Sequence, residues 1–120
     1  MNKLLLSTVF MVLVSTTSVN AWNPMNAESA VVDGSTTFET NGCTMCHDEN
    51  MEKMGPSLMT IRMSYGGDEN ALVSFFKGET PARVYPAKAA MMQPQLMKIQ
   101  TLYDNEIRAL ARYVLGIEKF

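Results

Sequence analysis

The feature that most constrains this chain is the pentapeptide Cys43-Thr44-Met45-Cys46-His47, which holds both cysteines and the only histidine among 120 residues. Four chemistries use a CxxC pair: a structural disulfide, a dithiol redox centre, a zinc site, and thioether attachment of haem. A disulfide across two intervening residues closes too small a loop to restrict the unfolded chain much, so it makes a weak staple. A thioredoxin-like dithiol needs a strand before it in a βαβ setting, and no run of alternating β-branched residues is present. A closed zinc site takes four Cys or His ligands, and the chain offers three with no second cluster. The histidine directly after the second cysteine completes CxxCH, in which each thiolate adds to one vinyl group and the imidazole binds iron. Cys43 and Cys46 are therefore expected to carry one covalently bound haem c, with His47 on its iron.

Thioether attachment of haem belongs to exported chains, and the first residues fit export independently. Lys3 gives a short basic start, Leu4 to Val14 is apolar or hydroxylated, Ser15 to Ser18 is polar, and Ala21 is the small residue a signal peptidase prefers. The sequence thus reads as a cleavable secretory signal peptide over 1–21, a short leading segment over 22–32, and a monohaem domain over 33–120. The apolar run falls well short of the ~20 residues a bilayer span needs, so no integral membrane span is expected once the leader is cleaved; its retention as an anchor is the alternative. A composition of 47% hydrophobic and 18% charged residues excludes disorder by composition. Without the leader, nine basic residues face twelve acidic ones, a formal charge of −3. Nucleic acid is excluded as a partner by the absence of a clustered Lys/Arg excess.

Beyond the motif, apolar periodicity is clearest near the end of the chain. Ile107, Leu110, Ala111, Val114 and Leu115 recur at i, i+3, i+4, i+7 and i+8 with Arg108 and Arg112 turned away, which predicts an amphipathic helix capped by Asp104 and ended by Gly116. A middle helix is predicted after Asp68, with Leu72, Phe75 and Phe76 on one face and Gly78 as its end. Between Glu79 and Thr101, Pro81, Pro86 and Pro94 with few periodic apolar positions predict a loop lying over the cofactor.

Taken in order, Gly34 and Phe38, CxxCH, Gly55-Pro56-Ser57-Leu58, a methionine-bearing loop and an apolar last helix resemble a class I cytochrome c of the small bacterial monohaem type, from Asp33 to the C-terminus. The resemblance implies an all-α fold of three to four helices packed around one covalently bound haem. It implies an N-terminal helix that crosses the last helix at Gly34, with Phe38 against Tyr113 and Gly42 as its stop. Ser35, Thr36, Thr37 and Thr40 are mediocre helix formers, so a loop is the competing reading there. It also implies that the Pro56 carbonyl orients His47 and that the second iron ligand is a methionine of the loop before the last helix. Met92 is the preferred ligand, with Met91 and Met97 as alternatives. The family pattern places proline directly after this methionine, whereas here Gln93 intervenes before Pro94. Tyr65, Tyr85, Tyr103 and Arg83 are candidates to reach the haem propionates.

The function expected from this resemblance is a periplasmic single-electron carrier and not an enzyme. It would be a monomer exchanging electrons with a donor and an acceptor among larger redox proteins. An electron-entry subunit of a larger periplasmic complex is the alternative, followed by a haem enzyme or gas-binding sensor, which needs an open iron position. Charge divides unevenly, −6 over 28–70 and +3 from residue 71 onward. The basic side is expected to guide the haem edge onto an acidic partner, with scattered solvated charge as the competing reading.

Overall fold

The computed structural model describes residues 31–118. The expected signal peptide, and the leading segment up to residue 30, lie outside the described residues. Five α-helices follow one another as α1 (Gly34–Thr40), α2 (Leu58–Tyr65), α3 (Glu69–Phe76), α4 (Gln93–Ile99) and α5 (Asp104–Leu115). Two 3-10 segments, Cys43–Met45 and Pro86–Met92, separate α1 from α2 and lead into α4. No strand occurs among the described residues, so the fold is all-α as expected.

The weak helix formers of α1 are satisfied locally rather than by propensity. The Asp33 carboxylate accepts the Ser35 and Thr36 amides at 3.1 and 3.3 Å and so caps the helix. The Thr37 and Thr40 hydroxyls donate back to the Asp33 and Thr36 carbonyls at 3.0 and 2.8 Å. The helical reading of this stretch therefore holds over the loop. The same short hydroxylated side chains let α1 lie close across α5. A Cβ on Gly34 would strike the Ala109 carbonyl oxygen and sit 2.7 Å from the Tyr113 Cβ. One turn on, the Phe38 and Tyr113 rings meet at 5.2 Å between centroids, tilted by 54°.

Helix α5 is the spine on which α1, α2 and α3 all pack. Its apolar stripe is buried as the periodicity predicts, with Leu110 and Ala111 at 1% and 0% exposure. Its start differs from the expectation: Tyr103 holds the capping position, the Glu106 carboxylate accepts the Tyr103 amide at 2.8 Å, and Asp104 is already helical. Freed from capping, Asp104 pairs with Lys77 and with Arg108. Gly116 ends the helix as expected, and beneath it the Arg62 guanidinium of α2 donates to the Val114 carbonyl at 2.9 Å, a cation at the negative end of α5.

Two elements depart from the expected layout. Helix α2 forms behind Ser57, whose buried hydroxyl accepts the Thr60 amide at 3.1 Å, and it buries Leu58, Ile61 and Tyr65 while Met59 and Met63 face outward. The stretch expected to be a loop up to Thr101 instead winds into the 3-10 segment and then α4. Pro94 lies in the first turn of α4, where its missing N–H has no partner to lose, and Leu96 and Ile99 anchor the helix in the core. The middle helix α3 stands where expected, capped by Asp68, with Leu72 and Phe76 buried.

Candidate functional site

The CxxCH pentapeptide is wound, not extended. Its 3-10 turn leaves the Cys46 and His47 amides both donating to the Cys43 carbonyl, at 3.2 and 2.9 Å. Cys43 is buried, Cys46 half-buried, and both are free thiols. Burial pushes the Cys43 thiol above its ordinary value, with the positive charge of Lys98 opposing.

After His47 the chain folds back as a strap that seats the imidazole. The strap opens with an isolated antiparallel bridge between His47 and Glu52. It is tied by the Gly55 amide to the Cys46 carbonyl at 2.9 Å and by the Leu58 amide to the Asp48 carbonyl at 2.9 Å. These ties bring Pro56 beside the ring, so that His47 Nδ1 lies 2.7 Å from the Pro56 carbonyl oxygen. A carbonyl can only accept, so Nδ1 carries the proton and the Nε2 lone pair is left for a metal. Gly55 lies flat against the imidazole, and a Cβ there would come within 2.6 Å of His47 Cε1.

Above this seat opens a largely apolar cavity. Cys43, Cys46 and His47 line it together with the apolar side chains of Leu58, Ile61, Leu72, Phe76, Leu110 and Val114, drawn from α2, α3 and α5. Two free thiols, a deprotonated imidazole nitrogen and a large apolar hollow next to them form a donor set and an enclosure that fit haem c. Among the described residues no group of three or more His, Cys, Asp or Glu is arranged to hold a metal ion. Nor does any helix among the described residues have the length and apolarity to cross a membrane.

The three candidate methionines are placed differently. Met92, at the junction of the 3-10 segment with α4, is half-buried, packs on the core and lines the cavity. Met91 also lines the cavity but is 63% exposed. Met97 is equally exposed and lies outside the cavity wall. Among the propionate candidates, Tyr65 and Tyr85 line the cavity; Arg83, paired with Asp68, and Tyr103, at 80% exposure, do not. Arg83 nevertheless stacks over the Tyr65 ring at 5.1 Å from its centroid, and burial pushes the Tyr65 phenol above its ordinary value. The residues that sequence reasoning missed are Glu52, Lys88 and Gln95. All three sit on the cavity wall, and the Tyr85 hydroxyl donates to the Glu52 carboxylate at 2.5 Å.

The basic half of the chain is largely neutralised within the fold. Arg108 and Arg112 both pair with Glu69, Arg83 with Asp68, and Lys77 with Asp104. Among the described residues Lys88 and Lys98 are the basic side chains without a carboxylate within 4 Å, and both flank the segment bearing Met92. A search of the curated proteins found no match. A comparison with family models matches residues 31–118 to the family described as Cytochrome c.

Proposed function

The chain belongs to the cytochrome c family, electron-transfer proteins that hold haem c covalently, and on that premise we propose that it is a periplasmic one-electron shuttle whose iron ligands are His47 and Met92. Bound haem supplies the redox chemistry, one iron that gains or loses a single electron. The protein's part is to hold that group still and dry. Cys43 and Cys46 tether it, and the Pro56 carbonyl keeps the His47 ring in one tautomer and orientation. The apolar wall keeps water from rearranging around the changing charge.

The observation that carries the assignment of Met92 is its burial. Met54, Met91 and Met92 line the cavity, and of these Met92 is the one packed on the core. Met54 belongs to the strap that follows His47 and is 66% exposed. A thioether is a soft neutral donor that suits ferrous iron and raises the potential. In this reading residues 1–21 are removed on export, the mature protein is a monomer, and its donor and acceptor are larger redox proteins. Among the described residues Lys88 and Lys98 are the basic charges left to meet an acidic partner. The first prediction concerns the ligand: M92A abolishes the thioether-to-iron absorption band of the ferric protein, while M91A and M97A retain it. Retention of the band in M92A with its loss in M91A would move the role to Met91.

A further inference from the structure

We propose that Tyr85 and Glu52 form a latch across the mouth of the cavity, a pair of positioning residues that hold the Met92 segment closed against the His47 strap. The proposal rests on the reading of Met92 as the iron ligand. Glu52 is part of the strap, and its backbone bridges to His47 itself. Its carboxylate accepts the Tyr85 hydroxyl at 2.5 Å and the Thr60 hydroxyl at 3.4 Å, so it is fixed from the α2 side as well. Tyr85 lies 33 positions further along the chain and lines the same cavity.

The backbone of Tyr85 adds a second, independent sign. With φ 44° and ψ 56° it is the sole non-glycine residue at positive φ among those described. An L-residue with a Cβ does not rest there unless its surroundings impose it. Tyr85 stands immediately before the 3-10 segment, and its carbonyl accepts the Lys88 amide at 2.8 Å to start that turn. None of the residues Pro86–Met92 is fully buried and Met92, at the far end, is the one packed on the core, so core packing does not pin the beginning of the segment. Beside Val84, which packs on the core, what ties its start to the rest of the molecule is the phenol hydroxyl on Glu52, while the Lys88 ammonium, over the Tyr85 ring at 5.5 Å, belongs to the segment itself. Cutting that tie leaves the strained turn free to relax, and the Met92 thioether then leaves the iron more often.

The test uses the ferric holoprotein with imidazole as the entering ligand, followed by loss of the thioether-to-iron band. Y85F and E52A are each expected to speed imidazole binding roughly tenfold, the effect of losing one hydrogen bond to a charged group. The double variant should be no faster than either single one, because both remove the same contact. Hydrogen exchange at the Lys88 amide should accelerate in parallel. Unchanged imidazole rates and unchanged Lys88 exchange in both single variants would overturn the latch, as would rate effects that simply multiply in the double variant. M92A separates this from the ligand assignment: a band that survives M92A refutes the ligand, while Lys88 exchange still judges the latch.

Discussion

At the scale of single residues, the close approach that bears most directly on the candidate site is the contact between Gly55 and the His47 ring. Any side chain at position 55 must push the imidazole aside, since even a methyl carbon would lie 2.6 Å from Cε1. G55A is therefore expected to lengthen the hydrogen bond from Nδ1 to Pro56, make the imidazole a poorer donor to ferric iron, and raise the midpoint potential. The rise should be on the order of 50 mV, what a tenfold change in relative ferric and ferrous stability amounts to for one electron. Spectroelectrochemical titration of the holoprotein checks it, and an unchanged potential would mean that the ring has room to spare. Cys43, Cys46, His47 and Pro56 were legible in the sequence because their chemistry is written in a short contiguous stretch. The pairing of Glu52 with Tyr85 was not, because it joins distant positions, and a tyrosine at positive φ carries none of the Gly or Asn signature by which such a turn is recognised.

At the scale of elements, the crossing of α1 over α5 depends on a missing side chain. G34A places a Cβ between the Ala109 carbonyl and the Tyr113 Cβ, so the helices must separate and the Phe38 and Tyr113 rings lose register. The expected cost is about 1–3 kcal/mol of overpacking, read as a lowered midpoint in guanidinium unfolding of the holoprotein. Helices α3 and α5 were visible in advance because their apolar positions keep helical spacing over two or more turns. Helix α2 was hidden by Met59 and Met63, which read as apolar yet face solvent and blur the pattern of Leu58, Ile61 and Tyr65. Helix α4 was hidden by Pro94, a breaker in most positions that is harmless in a first turn. The hydroxyl-rich stretch of α1 was ambiguous for the opposite reason, since its stability comes from a cap and from contacts with α5 that propensity does not record.

At the scale of the whole molecule, the acidic and basic parts of the sequence are folded onto one another. Glu69 of α3 accepts from Arg112 at 2.9 Å and from Arg108 at 3.3 Å, and these guanidiniums, Arg112 foremost, hold its carboxyl below the ordinary value of 4.5 despite some desolvation. The folded state then binds fewer protons at this site than the unfolded one. The stabilisation is complete above the ordinary value and is lost as pH falls through it toward the lowered one. E69Q should cost under ~1 kcal/mol at neutral pH, since both guanidiniums reach solvent, and should flatten the decline in thermal midpoint below pH ~4. An equally steep acid decline in E69Q would place the sensitivity elsewhere. The core itself is built around the cavity, with Leu58, Ile61, Leu72 and Phe76 facing it. C43A/C46A, expressed where cytochromes are matured, is expected to lack a cooperative thermal transition and to bind the dye ANS, whereas a sharp transition would show that the protein core suffices alone. The hydrogen bonds that seat His47 all close within the short stretch from Cys43 to Met59, while the facing wall arrives from residues 84–92. Short loops close at little entropic cost and long ones later. The order of assembly follows: a newly made chain can offer its attachment machinery a finished half-socket while still unfolded elsewhere, and the remainder wraps over the pigment once it has been fastened.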